Sequence, residues 1–433
     1  MTDTLNQGQL LGADAFLKFL LGPDKAMILT GGPGTGKTHL MKYLINEVMT
    51  QYRDMCQMMG IESVYDAVNI TATTNKAADV LSVLTGWPAD TIHTFLGLKV
   101  MEDYSTGKTK LTRTRNWKVH ESMILVVDEC SMVDTPLFQA INEGTLRCKI
   151  LYVGDKNQLA PVMEKLSPVF QQGYQTIELT EPMRNKAQPA LISLVTQLRE
   201  TVETGIFKPI QIIPGIIDHL DDAAMEQQLQ SHFMQQNPEC RVMAYTNDRV
   251  IQFNDHIRSM RGLPDGFTLG ETLVSNSSIQ FGDHRMHVEA EYTIVKLGRH
   301  EKVLIGKDNQ GDIELDVQLL DLMTRHGNVL EGVPVPTDKP HFTELVKYYQ
   351  KQKNWEKYFL LKQKYPDLRA RDAATVHKAQ GSSHDSVFID LGNISTCRQP
   401  DPVARKLYVA FSRARTRVFT YGTLADKYGG LIL

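Results

Sequence analysis

Residues 31–38 read Gly-Gly-Pro-Gly-Thr-Gly-Lys-Thr, between an apolar run at 26–30 and a segment of helical spacing at 38–49 that carries Leu40, Tyr43, Leu44 and Glu47. Neither a strand nor a helix can run through so many glycines and a proline, so the chain must turn there, at a strand-to-helix junction. The octet matches G-x-x-x-x-G-K-[ST], and its context is the one the pattern needs. Glycines let backbone N–H groups wrap a β-phosphate, and the helix N-terminus adds positive potential. Lys37 reaches the β- and γ-phosphates and the Thr38 hydroxyl ligates Mg2+. Gly32, Pro33, Gly34, Thr35, Gly36, Lys37 and Thr38 are therefore the candidate nucleotide-binding residues. A glycine-rich turn with a surface lysine is the alternative, and the flanking strand and helix argue against it.

The rest of the chain repeats that alternation. Apolar runs at 68–72, 123–127, 149–153, 241–245, 387–391 and 418–421 mostly lack strict alternation, as do strands buried on both faces. Helix-like segments lie between many of them, such as 248–260, where Val250, Ile251, Phe253, Asn254 and Ile257 are spaced for one buried face. The fold class this implies is α/β with parallel sheets. A chain of 433 residues holds two or three domains at about 150 residues each. Hydrophobic residues at 42% and charged residues at 22% exclude a disordered or fibrous chain. The formal charge of −3 means that any polyanion must be met by local basic patches.

Cys56, Cys130, Cys148, Cys240 and Cys397 are scattered and odd in number, which indicates neither a zinc site nor a disulfide framework and fits a reducing, cytoplasmic compartment. No Lys or Arg occurs before Lys18 and no stretch approaches the roughly 18 apolar residues of a membrane span, so secretion and membrane insertion are not expected.

The run 123–127 ends in Asp128 and Glu129, which places two acids at the carboxyl edge of a sheet, where ligands of open α/β sheets bind. Asp128 is the expected Mg2+ ligand and Glu129 the group that orients and deprotonates an attacking water. Residues 99–118 hold six basic residues (Lys99, Lys108, Lys110, Arg113, Arg115, Lys118) against Glu102 and Asp103, around Ser105-Thr106-Gly107, and read as a basic β-hairpin. From about 270 to 335, short strand-like pieces at 272–275, 292–297 and 302–305 suggest a small antiparallel barrel. In 342–365, Leu345, Tyr348, Gln352, Trp355 and Phe359 recur at helical spacing, which reads as the stripe of one helix packed on a core.

The strand 151–153 is followed by Gly154-Asp155-x-x-Gln158-Leu159-x-Pro161. The order of the phosphate loop, Asp128-Glu129-Cys130-Ser131-Met132 and this segment resembles superfamily 1 helicases, specifically the 5′-to-3′ branch that contains the RecD-like enzymes. Leu179-Thr180-Glu181-x-x-Arg184 is similar to motif IV of that family, the segment 374–383 around Thr375, His377 and Gly381 to motif V, and 407–415 around Arg413 to motif VI. Upstream, 72–78 resembles motif Ia and 91–95 the next DNA-contacting motif, while Gln9 resembles an adenine-reading glutamine. The family usually has proline where Thr73 stands. The likeness spans roughly residues 5–422.

The resemblance implies two RecA-like domains that clamp one ATP: residues 1–178, interrupted by the 99–118 hairpin, and residues 179–262 with 366–433, interrupted by a small SH3-like β-barrel and its aromatic helix at 263–365. It implies that Arg184 and Arg413 act as arginine fingers, that Gln158 senses the γ-phosphate, that Gly381 lies at the nucleotide, and that Thr73, Thr74, His93, Thr375 and His377 contact DNA. In the resembled enzymes a hairpin inserted like 99–118 acts as a pin at the fork, with Tyr104 placed to stack on the last base pair. The implied activity is an ATP- and Mg2+-dependent DNA helicase moving 5′ to 3′ on single-stranded DNA and unwinding forked duplexes. The expected setting is phage replication or recombination in the host cytoplasm, as a monomer, with a single-stranded DNA-binding protein as a partner. Two other readings of the phosphate loop are an ATP-gated clamp that strips proteins from single-stranded DNA and a small-molecule kinase. The kinase leaves Arg413 and the second α/β unit unexplained.

Overall fold

The computed structural model describes residues 5–103, 108–161, 164–181, 188–308 and 311–432. The chain forms two compact units, one of Met1–Lys99, Leu111–His219 and Ala379–Leu433, the other of Val100–Lys110 and Leu220–Lys378. Both contain parallel strand pairs, and the molecule is α/β with parallel sheets as the run pattern predicts.

In the first unit a six-stranded sheet has the order Gln175–Leu179, Ala26–Gly31, Lys149–Gly154, Met123–Asp128, Ala67–Ala72, Ala89–Thr91, with every neighbour parallel. Side chains of a strand point alternately to opposite faces, and here both faces are covered. Met27 and Leu29 pack with Phe16 of the helix Gln7–Leu21 and with Leu40, Leu44 and Val48. Ala26 and Ile28 face the other way, with Leu137 and Ile141 of the helix Thr135–Glu143. Two buried faces explain the uninterrupted apolar runs. The same unit contains His384–Asp390 and Ala414–Tyr421 as a parallel pair, followed or preceded by the helix Pro400–Phe411.

The helix expected at 38–49 is longer and not uniform. It runs as Lys37–Tyr43, a π-helical turn at Leu44–Val48, and Met49–Met58. No glycine or proline interrupts this stretch, so nothing local stops the helix where the apolar spacing fades.

In the second unit, Cys240–Ala244 pairs in parallel with Ala373–Thr375, and the helix Asn247–Met260 buries Val250, Phe253, Asn254 and Ile257 as the spacing predicts. Ile251, counted on the same face, is exposed. A five-stranded antiparallel sheet follows in the order Val329–Pro336, Gly311–Thr324, Glu291–Asp308, Thr272–Ser275, Leu368–Ala370. The separate strands expected at 292–297 and 302–305 are one strand, because register shifts between Leu297 and His300 and between Leu304 and Gly306 carry the ladder across. Gly298 is needed there, since a Cβ would stand 2.6 Å from the Leu319 carbonyl oxygen.

The single aromatic helix read at 342–365 is two helices, Lys339–Lys351 and Trp355–Lys364. Lys353 takes a left-handed conformation at φ 52° and the Asn354 side chain caps the second helix by accepting from the Lys357 N–H. The stripe is broken accordingly: Leu345, Tyr349, Phe359, Leu361 and Tyr365 are buried, while Gln352 is exposed. Leu98–Asp103 and Lys108–Arg113 form a two-stranded sheet. Among the described residues no helix is long and apolar enough to cross a membrane.

Candidate nucleotide site

The phosphate loop leaves the sheet at Gly31 and enters the helix Lys37–Tyr43 through Gly36, at φ 84°, which caps the helix without a side-chain bond. Gly34, at φ 78°, shares the left-handed conformation that favours glycine. The loop is tightened from within by Thr35, whose Oγ1 donates to the Gly32 carbonyl at 2.8 Å. Lys37 Nζ donates to the carbonyl oxygens of Gly31 at 2.7 Å and Gly32 at 3.0 Å. The lysine therefore lies along the loop it serves.

Met123–Asp128 is two strands away across the sheet, with Lys149–Gly154 between them, a separation of about 10 Å. Asp128 closes its strand, in register with Ala72. Burial, reinforced by the adjacent Glu129 carboxylate, pushes the Asp128 carboxyl up to about 7. Glu129 has φ 53° and ψ 41°, a conformation uncommon outside glycine and frequent at functional turns. Gly381, at φ 79°, lies against it: a Cβ there would be 3.9 Å from Glu129 Oε1.

These groups line one cavity of about 480 Å3, which Pro33, Gly34, Gly36, Lys37, Thr38, Asp128, Glu129, Gln158, Gly381 and Arg413 share. Gln158 is 5% exposed, and its Oε1 has no hydrogen-bond partner among the described residues. Arg413 is buried, its guanidinium donating to the carbonyls of Val409 at 3.2 Å and Ser382 at 3.2 Å and to Ser412 Oγ at 2.9 Å. Thr38 and Asp128 offer hydroxyl and carboxylate oxygens to the same space, a donor set that suits Mg2+.

Gln9 is fully buried next to the loop but committed elsewhere. Its Oε1 accepts from the Asn6 N–H at 3.0 Å, as half of a capping box, and its Nε2 donates to the Gly36 carbonyl at 3.3 Å. Thr73 Oγ1 donates to the Glu129 carbonyl at 3.4 Å. Thr74 caps the helix Asn75–Thr85, and His93 is half-buried beside Thr91 and Thr94, whose hydroxyls pair with each other at 2.9 Å. In the second unit Thr375 is buried, its hydroxyl accepting from the Lys378 N–H, and His377 is exposed. Arg184 and Tyr104 lie outside the described residues.

The sequence reading passed over a second polar recess, within the second unit, bordered by Arg241, Asn247, Asn276, Glu289, Arg369, Thr375 and Lys378. Burial lowers the pKa of Lys378, opposed by the Glu289 carboxylate 3.4 Å away. The residues come from four separate stretches of chain, and no local pattern joins them. Of the hairpin's basic residues, Arg113 pairs with Glu143 and lies over the Trp117 ring, while Lys110 and Arg115 are exposed.

A phosphate loop, a strand-end acid pair and a buried arginine around one cavity define a P-loop nucleotide hydrolase. Residues 4–208 match the AAA domain family and residues 372–421 the UvrD-like helicase C-terminal domain. The chain is 26% identical over 466 residues to the ATP-dependent DNA helicase dda of Enterobacteria phage T4, an alignment covering 96% of this chain and 99% of that protein. It is 31% identical over 174 residues to the ATP-dependent RecD2 DNA helicase of Deinococcus radiodurans, covering 40% of this chain and 21% of that one. The Pif1 helicase structure from Candida albicans aligns over 99% of this chain and 96% of its own, at 16% identity and a TM-score of 0.48. The chain thus carries an AAA domain and a UvrD-like helicase C-terminal domain, is homologous to superfamily 1 helicases of the 5′-to-3′ branch, and is a hydrolase acting on ATP.

Proposed function

We propose that this protein couples ATP hydrolysis to 5′-to-3′ movement along single-stranded DNA and unwinds duplex DNA at forks, in phage replication or recombination in the host cytoplasm. The observation that carries the reading is the convergence of Lys37, Glu129, Gln158, Gly381 and Arg413, from five separate sequence motifs, on one cavity. A nucleotide there meets groups suited to every charge that develops during phosphoryl transfer.

Thr38 and Asp128 would hold Mg2+, which would supply charge neutralisation at the phosphates. The loop N–H groups and Lys37 bind the phosphates, Glu129 takes the proton of the attacking water at its carboxylate, and Gln158 contacts the γ-phosphate. Arg413, joined by Arg184, stabilises the transition-state charge. Gln9 borders the loop for the adenine. Residues 1–178 form the first motor domain and 179–262 with 366–433 the second. Residues 263–365 supply an SH3-like barrel, and 99–118 a pin whose Tyr104 stacks on the last base pair. Thr73, Thr74, His93, Thr375 and His377 follow the strand. The protein acts as a monomer alongside a single-stranded DNA-binding protein.

Unwinding of matched duplexes that carry either a 5′ or a 3′ single-stranded tail tests this directly. The 5′-tailed duplex opens with ATP and the 3′-tailed one does not. Equal opening, or a preference for the 3′ tail, contradicts the direction. Release of bound protein without strand separation supports instead an ATP-gated clamp.

A further inference from the structure

The loop that carries Gln158 is gripped from the helix Pro400–Phe411, within the first unit. Arg405 Nη1 donates to the carbonyl oxygens of Lys156 at 2.9 Å and Gln158 at 2.7 Å. Tyr408 Oη donates to Asp155 Oδ2 at 2.6 Å, and both residues are fully buried. Asp155 Oδ1 accepts from the Asn157 N–H at 3.0 Å, so one carboxylate ties the loop both to itself and to the helix. A Cβ on Gly32 would stand 3.2 Å from Tyr408 Oη, which brings the same hydroxyl against the phosphate loop.

Arg405 and Tyr408 are three residues apart, hence neighbours on one helix face, and Arg413 follows directly after Ser412, which caps the helix. The loop around Gln158 is thus fixed by four charge-assisted hydrogen bonds, while Gln158 lines the cavity and its side-chain oxygen is buried without a partner among the described residues. A buried polar atom left open beside so firmly held a backbone calls for an explanation. Pre-organisation for a ligand supplies one.

We infer that Arg405 and Tyr408 are positioning residues for ATP hydrolysis: they lock the 155–158 loop to the helix that leads into Arg413, so that Gln158 and Arg413 meet the γ-phosphate as one rigid set. The inference rests on the proposed roles of those two residues. Neither Arg405 nor Tyr408 is among the residues that line the cavity. Their loss misplaces a catalytic group without removing one, and a misplacement of that kind costs turnover more than binding.

Tyr408→Phe deletes a single oxygen and keeps the ring. It lowers the single-stranded-DNA-stimulated kcat by about tenfold to 10²-fold, in the range for misplaced catalytic groups, and leaves the KM for ATP within about threefold. Arg405→Lys, which keeps the charge but replaces the fixed, planar Nη1 that donates to both carbonyls with a freely rotating ammonium on a shorter stem, shifts kcat the same way. Combining Tyr408→Phe with Asp155→Asn costs less than the product of the single effects, because both break one bond. Parental kcat in both Tyr408→Phe and Arg405→Lys, with only a lowered melting temperature, overturns the inference. Glu129→Gln measured alongside separates the two layers. If it too turns over at the parental rate, the underlying site reading has failed. If it alone is slow, only the positioning role has.

Discussion

The molecule holds two concentrations of charge that look alike in composition and differ in every other respect. At the carboxyl edge of the six-stranded sheet, Lys37, Asp128, Glu129, Gln158 and Arg413 border one cavity, where Lys37 and Arg413 are held by backbone carbonyls and Gln158 Oε1 is buried without a partner among the described residues. In the second unit, Arg261 donates both terminal nitrogens to Asp372 at 2.7 Å, with side-chain exposures of 6% and 1%. Arg241 and Lys378 approach Glu289, and Arg371 approaches Glu291. These charges answer one another. The first set is arranged for a ligand that the chain does not supply, the second for the chain itself, and the distinction lies in where each group's hydrogen bonds go rather than in how many charges are present.

Substitution in each region should therefore fail differently. Lys37→Ala removes the charge that meets the phosphates; DNA-stimulated ATP hydrolysis is lost and nucleotide binding weakens, while urea unfolding changes little. A full loss of folded protein instead would erase the contrast. Asp372→Ala strands the buried Arg261 guanidinium, and breaking such a pair costs about 3–5 kcal/mol of stability, read as a lower urea midpoint at unchanged slope. A loss below about 1 kcal/mol, the level of exposed pairs, would place that ion pair in the surface class.

Asp128 straddles the two regimes, because it is a site residue that carries a burial penalty. A carboxyl with a folded pKa of about 7 against about 3.9 in the unfolded chain favours the protonated form on folding. Its charge therefore costs stability progressively as pH rises from the unfolded value and fully above the folded one. In the absence of Mg2+, Asp128→Asn raises the melting temperature more at pH 8 than at pH 5. Equal shifts at both pH values would show that the carboxylate is not opposed by its surroundings.

The same contrast explains what could be read in advance. The phosphate loop is spelled by adjacent residues whose conformational needs are local, and the acid pair by the end of an apolar run, so both were legible. Gln158, Gly381 and Arg413 required the family resemblance, since nothing in a lone Gln, Gly or Arg signals a nucleotide. The Arg261–Asp372 pair and the Tyr408–Asp155 bond join residues 111 and 253 positions apart, with no pattern between them to read. At Gln9 the sequence spells a second, local role beside the expected ligand contact, the Asn6-x-x-Gln9 capping box. The break at 352–354 was hidden because a lysine, not a glycine, takes the left-handed turn.

That Glu129 activates the attacking water is the claim on which the rest depends. Nucleotide affinity and single-stranded-DNA-stimulated ATP turnover of Glu129→Gln, measured side by side with the parent protein, test it most directly. A carboxylate needed only to take a proton can be lost without losing the pocket, so ATP and DNA bind nearly as before while turnover falls by about 10²-fold or more, within the range for a general base. Parental turnover by Glu129→Gln would contradict the account.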